Sequence, residues 1–223
     1  MAVNEIVFKE ITEELSAKHV TLVAVSKTKP PADIQQLYDL GQRDFGENYV
    51  QEIVEKQAVL PPDIRWHFIG HLQSNKVKYL APFVYMIHGV DSLKLLKEID
   101  RQALKSNRII PVLLQVHIAM EETKFGLDEE ELNEMINALP GLPHIALKGL
   151  MGMASFTDDH DIVRNEFRRL KALYEKINVL YAAQLPGSQL TVLSMGMSAD
   201  YPVAIEEGSN MVRIGSLLFG ARN

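Results

Sequence analysis

The sequence predicts an α/β fold, a single (β/α)8 barrel of the TIM type with one helix ahead of the first strand. Eight short apolar segments alternate with amphipathic ones along the 223 residues, and such alternation implies parallel strands joined by helical crossovers. The length suits this fold, which typically takes about 250 residues and can be built from about 200. An open doubly wound sheet is the alternative, but its glycine-rich fingerprint is absent after the first strand, where the sequence reads Ser26-Lys-Thr-Lys-Pro30.

The individual elements follow from local periodicity and from turn residues. The leading helix has the apolar spacing of an amphipathic segment, and Pro30-Pro31 opens a second helix that Gly41 closes. The predicted strands cover residues 21–26, 43–45, 65–69, 84–88, 110–118, 145–151, 191–195 and 211–214. The predicted helices cover residues 4–17, 31–40, a segment around 50–54, a short one ending at 80, one capped by Asp91 or Ser92, 128–138, a long one within 158–180, and 199–206.

Composition excludes several classes of protein. The 23 basic and 29 acidic side chains give a net charge of −6, so no basic surface is predicted for nucleic acid or for an anionic membrane. The absence of cysteine excludes disulfides, thiolate metal sites and cysteine nucleophiles, and it fits a reducing compartment. No signal peptide and no apolar run of membrane length is visible. We expect a cytoplasmic monomer with one domain over residues 1–223.

A lysine at the end of the first strand is the first candidate for chemistry, because sites in such barrels form at the carboxyl ends of the strands. Lys27 has the same strand phase as Val23 and Val25, while Pro30 is expected to turn Lys29 aside. Taken alone, Lys27 is open to two interpretations. It is either a solvated lysine just past a strand end or an amine held in a pocket to react with a carbonyl group.

The ends of the last two strands carry the other candidates. Ser194-Met-Gly-Met-Ser198 follows the seventh strand, and Gly215-Ser216 follows the eighth. Barrels often bind phosphate at these loops, through free backbone N–H groups and hydroxyls. The alternative interpretation is that both segments are tight turns that need glycine for their backbone conformation. Arg213 interrupts an apolar strand, so it faces a core carboxylate, solvent or a ligand in the pocket.

Lysine, phosphate cup and arginine together match the needs of pyridoxal 5′-phosphate. The amine forms an imine with the aldehyde, the cup holds the phosphate, and a further group faces the ring nitrogen, whose basicity a fixed cation lowers. A metal is not expected, because His67 and His71 do not share one helical face and no carboxylate pattern completes a site.

Several longer motifs carry a family resemblance. They are Ala24-Val-Ser-Lys-Thr-Lys-Pro30, Phe45-Gly-Glu-Asn48, His67-Phe-Ile-Gly-His-Leu-Gln-Ser-Asn-Lys76, Gly149-Leu-Met151, Leu193-Ser-Met-Gly-Met-Ser198, Val212-Arg-Ile-Gly215 and Phe219-Gly-Ala-Arg222. In this order, over almost the whole chain, they resemble the pyridoxal phosphate homeostasis protein family. One departure is His117, where the family usually has asparagine at the end of the fifth strand; the Glu121-x-x-Lys124-x-Gly126 pattern that follows is kept.

The resemblance implies a barrel similar to the N-terminal domain of bacterial alanine racemase. It also implies a set of cofactor-binding residues: Lys27 as the imine lysine, Ser198, Gly215 and Ser216 near the phosphate, Arg213 at the ring nitrogen, and Asn48 lining the pocket. The family is regarded as handling the cofactor, by buffering it or by delivering it to apo-enzymes, and no catalytic turnover is established for it.

A pyridoxal phosphate enzyme of the racemase type, acting on small amino acids, is the main alternative. Racemases with this fold add a β-rich second domain that supplies a tyrosine, and two-base racemisation needs groups on both faces of the imine. This chain ends about nine residues after the eighth strand, so we expect no such domain and favour the carrier. A barrel that binds a phosphate ester without an imine is the third hypothesis.

Overall fold

The computed structural model describes residues 3–119 and 126–220, and in them eight parallel strands close into a barrel in sequence order. The strands are β1 (Thr21–Val25), β2 (Asp44–Glu47), β3 (Arg65–Phe68), β4 (Met86–Val90), β5 (Ile110–Val116), β6 (Ile145–Gly152), β7 (Val192–Met197) and β8 (Met211–Ile214). The first strand pairs with both β2 and β8, which closes the sheet. The predicted (β/α)8 barrel is confirmed.

Helices surround the strands, and one helix precedes them as predicted. They are α1 (Glu5–Ala17), α2 (Pro31–Asp39), α3 (Val50–Val59), α4 (Val77–Leu80), α5 (Leu93–Lys105), α6 (Glu129–Ala138), α7 (His160–Gln184), α8 (Tyr201–Glu206) and α9 (Ser216–Phe219), with 3-10 turns at Ser74–Lys76 and Leu139–Gly141. Glu121, Lys124 and Arg222 of the family motifs lie outside the described residues. Among the described residues, no helix has both the length and the apolar character needed to cross a membrane.

The apolar core has two parts, because successive strand residues face opposite sides of the barrel wall. On β5, Val112 and Leu114 belong to the large cluster between strands and helices, whereas Leu113 belongs to a small cluster with Met86 and Met151. The small cluster fills part of the barrel interior. Much of the remaining interior is polar, and that polar part underlies the site.

Side-chain caps define several helix starts. Ser92, rather than Asp91, caps α5 by accepting the N–H of Leu95 at 3.3 Å. Asp128 and Glu131 form a reciprocal capping box at α6, as their spacing favours. These caps satisfy N–H groups that have no partner within the helix.

Most elements differ from their predicted limits by a few residues, and three of these differences have a visible cause. The second strand continues through Gly46 and Glu47, since both pair with β3. The fourth strand begins at Met86, two residues later than predicted, because the N–H of Val84 still donates to Leu80 O of the preceding helix. Helix α8 begins at Tyr201 rather than at residue 199, since the preceding residues form a turn.

Candidate functional site

A cavity of about 600 Å³ opens at the carboxyl ends of the strands. Its volume lies within the range of small-molecule and cofactor sites, about 300–1,000 Å³. All six residues that the sequence analysis singled out for the cofactor line this cavity: Lys27, Asn48, Ser198, Arg213, Gly215 and Ser216. Barrel closure therefore brings together residues that are far apart in the sequence.

Lys27 reaches the cavity from a tight turn directly after β1. Its neighbour Ser26 is fully buried, whereas Lys27 itself is only half-buried and lines the cavity with Val25, consistent with the predicted strand phase. Lys29 departs from expectation, because it also lines the cavity, where its Nζ donates to Phe219 O at 2.8 Å. Lys29 shares the strand phase of Lys27, and the expectation that Pro30 turns it aside is wrong, because the turn leaves Lys29 on the same side.

Arg213 is a buried cation in the barrel wall, with 4% of its surface exposed. One terminal nitrogen donates to the hydroxyl and the carbonyl of Ser194, at 2.6 and 3.0 Å, and the other donates to Gly152 O at 3.0 Å. Burial lowers the pKa of Arg213 to about 10, against the opposing field of Asp200. No described carboxylate lies within ion-pair distance of it, so at neutral pH it presents an unpaired positive charge to the cavity.

A turn after β7 presents backbone donors to the same cavity. The turn is closed by the N–H of Asp200, which donates to Met197 O at 3.1 Å, and by Asp200 Oδ1, which accepts the N–H of Met197 at 2.6 Å. Within the part of the chain that the structure covers, the N–H groups of Ser198 and Ala199 have no acceptor. The hydroxyl of Ser198 accepts the N–H of Gly215 at 3.2 Å, and this contact joins the two loops that were predicted to bind phosphate.

The two glycines of these loops have different roles. Gly196 has a φ of 96°, a left-handed conformation that favours glycine, and it does not line the cavity. Gly215 lines the cavity, and a Cβ there would lie 3.1 Å from Val25 O. The conformational interpretation is therefore correct for Gly196, while Gly215 allows close backbone packing at the cavity wall.

Asn48 adds a hydrogen-bond acceptor to the cavity. Its Oδ1 is buried and has no hydrogen-bond partner among the described residues, although the side chain lines the cavity. Buried polar atoms are nearly always hydrogen-bonded, so a ligand donor or an ordered water is expected at this position. An unpaired guanidinium, free N–H groups and this acceptor fit a small anion that carries both acceptor and donor groups.

One wall of the cavity was not predicted as part of the site. Beyond the end of β6 it includes Ser155, Phe156 and His160. Glu166, which is 4% exposed, anchors this wall by accepting both the N–H and the hydroxyl of Ser155, at 2.7 and 2.6 Å. No sequence signal marked Phe156 or His160 as part of the site. His117, the departure from the family pattern, is not among the described residues that line the cavity.

A buried chain of three titratable side chains occupies the barrel interior. Asp44 Oδ1 lies 2.9 Å from Nε2 of His67, whose Nδ1 lies 2.8 Å from Nε2 of His88. Although burial opposes it, hydrogen bonds from Arg65 and His67 lower the pKa of Asp44 to about 2. An ionised Asp44 accepts Nε2–H of His67, and a second hydrogen bond joins Nδ1 of His67 to Nε2 of His88.

This interior chain makes stability depend on pH. Burial, together with the fields of His67 and Arg213, holds the pKa of His88 well below its ordinary value of 6.5. Below about pH 6.5, His88 therefore binds fewer protons in the folded protein than in the unfolded chain. We expect the free energy of unfolding to fall as the pH drops below about 6.5, by up to ~1.4 kcal/mol per pH unit from this histidine, in urea titrations.

Two substitutions test the assignment of this pH dependence. His88→Gln keeps a side-chain amide that can hydrogen-bond to His67 but has no titrating ring, so the pH slope should become shallower. His19→Asn changes an exposed histidine with a positive φ, which asparagine tolerates, and it should leave the slope unchanged. An unaltered slope in His88→Gln would contradict the assignment to His88.

Known proteins resemble this chain in sequence and in fold. Residues 8–223 match the family model for the alanine racemase N-terminal domain. The chain is 44% identical to a pyridoxal phosphate homeostasis protein of Aquifex aeolicus, over 90% of this chain and 86% of that one. A human protein of the same name is 41% identical, over 100% and 85% of the two chains. The structure of PipY from Synechococcus elongatus with pyridoxal phosphate bound is 36% identical, covers 95% of this chain and 99% of PipY, and has a TM-score of 0.83.

Proposed function

Since the chain belongs to the pyridoxal phosphate homeostasis proteins, within the alanine racemase N-terminal domain family, we propose that it binds pyridoxal 5′-phosphate and buffers or delivers it. Three features that line one cavity support this function: a lysine amine, a buried guanidinium and backbone N–H groups, the last two without an ion pair or an acceptor among the described residues. The Lys27 amine is the feature that carries the proposal, because a carrier must hold the aldehyde reversibly.

The cofactor supplies an aldehyde that condenses with a lysine amine, losing water and forming an imine, together with a phosphate and a pyridine nitrogen. We assign the amine to Lys27. The turn after β7 and the Gly215–Ser216 loop would hold the phosphate, through the N–H groups of Ser198 and Ala199 and nearby hydroxyls. Asn48 Oδ1, buried and unpartnered, would accept a hydrogen bond from the bound ligand.

Arg213 bears on whether the site holds or transforms its ligand. Placed at the ring nitrogen, a guanidinium that stays protonated at neutral pH disfavours protonation of that nitrogen. An unprotonated pyridine withdraws electrons weakly. The site is therefore better suited to holding the cofactor than to stabilising a carbanion. Its three hydrogen bonds to Ser194 and Gly152 fix its position before the ligand arrives.

The proposed function also covers the domain organisation, oligomeric state, location and recipients of the protein. We propose one cofactor-binding domain over residues 1–223, acting as a monomer in the cytoplasm, with apo-enzymes that require pyridoxal phosphate as recipients. The net charge of −6 gives no support to nucleic acid as a partner. The names of the relatives support a role in cofactor supply.

A transfer assay tests the proposed function. The protein loaded with pyridoxal phosphate is mixed with an excess of an apo-enzyme, and recovery of that enzyme's activity is timed against release to a small-molecule scavenger. We expect recovery to be faster than release, because delivery would pass the cofactor on without its entering free solution. Equal rates would contradict delivery but would remain consistent with storage of the cofactor. A protein that never takes up the cofactor would contradict both storage and delivery.

The competing function is a racemase-type enzyme acting on small amino acids. It requires acid–base groups on both faces of the bound substrate, and Lys27 supplies only one. Incubating amino acids with the loaded protein in deuterated water discriminates the two functions. Exchange at Cα well above that caused by free pyridoxal phosphate would favour the enzyme over the carrier.

A further inference from the structure

The turn that carries Lys27 has a backbone conformation that its own sequence disfavours. The N–H of Lys29 donates to Ser26 O at 3.0 Å, which closes a four-residue turn with Lys27 and Thr28 at its centre. Thr28 has a φ of 64°, a value that glycine or asparagine normally provides at this turn position, and a β-branched residue adopts it only under constraint. The constraint must come from outside the turn.

Helix α3 supplies that constraint through two side chains one helical turn apart. Glu52 Oε1 accepts the N–H of Thr28 at 2.6 Å, so it holds the strained residue directly. Lys56 Nζ donates to Ser26 O at 2.8 Å, the same carbonyl that closes the turn. The residues immediately before and after Lys27 are thus both tied to one helix.

Each of the three N–H groups of the Lys56 ammonium has an acceptor. Besides Ser26 O, it donates to Glu52 Oε1 at 2.6 Å and to Glu47 Oε1 at 2.7 Å, and it is only 4% exposed. Three acceptors match its three protons. Glu47 also accepts the hydroxyl of Ser26 at 2.6 Å, which ties the end of β2 to the end of β1.

Stability alone does not account for this cluster. Buried ion pairs are weak contributors to stability, and apolar residues of similar size often replace them without loss. A glycine at position 28 would also remove the need for a constrained threonine. The cluster does fix the position from which the Lys27 side chain enters the cavity, because the residues on both sides of Lys27 are bound.

We propose that Lys56 and Glu52 are positioning residues for Lys27, holding its amine where the cofactor aldehyde is attached. This inference rests on the proposed function, since it assigns a role toward the same ligand. Positioning of a reacting group within about 1 Å can change rates by roughly a hundredfold. Removal of the constraint should therefore slow attachment at Lys27 in variants that remain folded.

The test compares attachment rates in folded variants. Lys56→Met and Lys56→Arg are mixed with pyridoxal phosphate, and the growth of the visible absorption band is timed. We expect Lys56→Met to be at least about tenfold slower, and Lys56→Arg to recover much of the rate because it restores the donors. Lys171→Met, which removes a half-buried lysine paired with Glu175 on α7, should react as the unaltered protein does.

Two further measurements keep the inference testable if Lys56→Met does not fold. Glu52→Ala removes the acceptor of the Thr28 N–H from a side chain that is 21% exposed, while Glu52→Gln keeps an acceptor oxygen. In the cofactor-free protein, the Thr28 amide of Glu52→Ala should exchange with deuterium faster, and attachment should again slow, with recovery in Glu52→Gln. Normal attachment rates in folded Lys56→Met or Glu52→Ala would overturn the positioning role. Failure of the unaltered protein to take up the cofactor would instead refute the proposed function.

Discussion

Lys27→Ala is expected to abolish covalent attachment of pyridoxal phosphate while leaving the barrel folded. The visible absorption band should be absent, borohydride should fix no label, and any remaining non-covalent binding should be at least about 100-fold weaker, or ~2.7 kcal/mol. Since Lys27 is only half-buried at a turn, the change in the free energy of unfolding should stay within about 1 kcal/mol.

Lys29 provides the matched comparison, because its amine lines the same cavity. In Lys29→Ala, borohydride should still fix the cofactor on the peptide that contains Lys27. Mass spectrometry of the two reduced proteins distinguishes the sites. Label retained in Lys27→Ala, or lost in Lys29→Ala, would contradict the assignment.

Gly149→Ala is expected to destabilise the barrel severely. Gly149 pairs with Val192 of the neighbouring strand, and a Cβ at Gly149 would lie 1.7 Å from Val192 O. Because the clashing oxygen belongs to the backbone, the clash can be relieved only if β6 and β7 move apart. They would separate at the start of β7, the strand that leads to Ser198. We expect a loss of more than about 3 kcal/mol, a large share of the roughly 5–15 kcal/mol that stabilises a typical domain.

Gly141→Ala is the control for this substitution. An added Cβ at Gly141 would meet nothing within 4 Å, so the free energy of unfolding should change by no more than about 0.5 kcal/mol. Urea titrations of both variants, followed by circular dichroism, measure the difference. Near-equal stabilities would show that the two strands can separate there at little cost.

Much of the fold could be predicted because its signals are local. Apolar periodicity and turn residues located every strand, and β8 was predicted with the limits that the structure shows. One error occurred where a distant segment decides the outcome. The second strand passes through Gly46 because that residue pairs with His67, and no neighbour in the sequence indicates this pairing.

The candidate site shows the same division. Lys27 could be selected from strand phase, and Arg213 could be recognised as anomalous inside an apolar strand. Whether Arg213 faced a carboxylate, solvent or the cavity depended on its partners, the carbonyls of Ser194 and Gly152. Those partners lie on two other strands, so only the closed barrel identifies them.

The sequence by itself determined the order of the elements, the residues at the strand ends and the phase that directs Lys27 inward, since each depends on neighbours a few residues away. The tertiary structure alone decided that the Lys29 amine donates to Phe219 O, that Arg213 is buried with no ion pair among the described residues and that Lys56 holds the carbonyl of Ser26. These contacts join residues between 19 and 190 positions apart. Barrel closure and strand register bring such distant residues together, and neither is encoded in any single stretch of the chain.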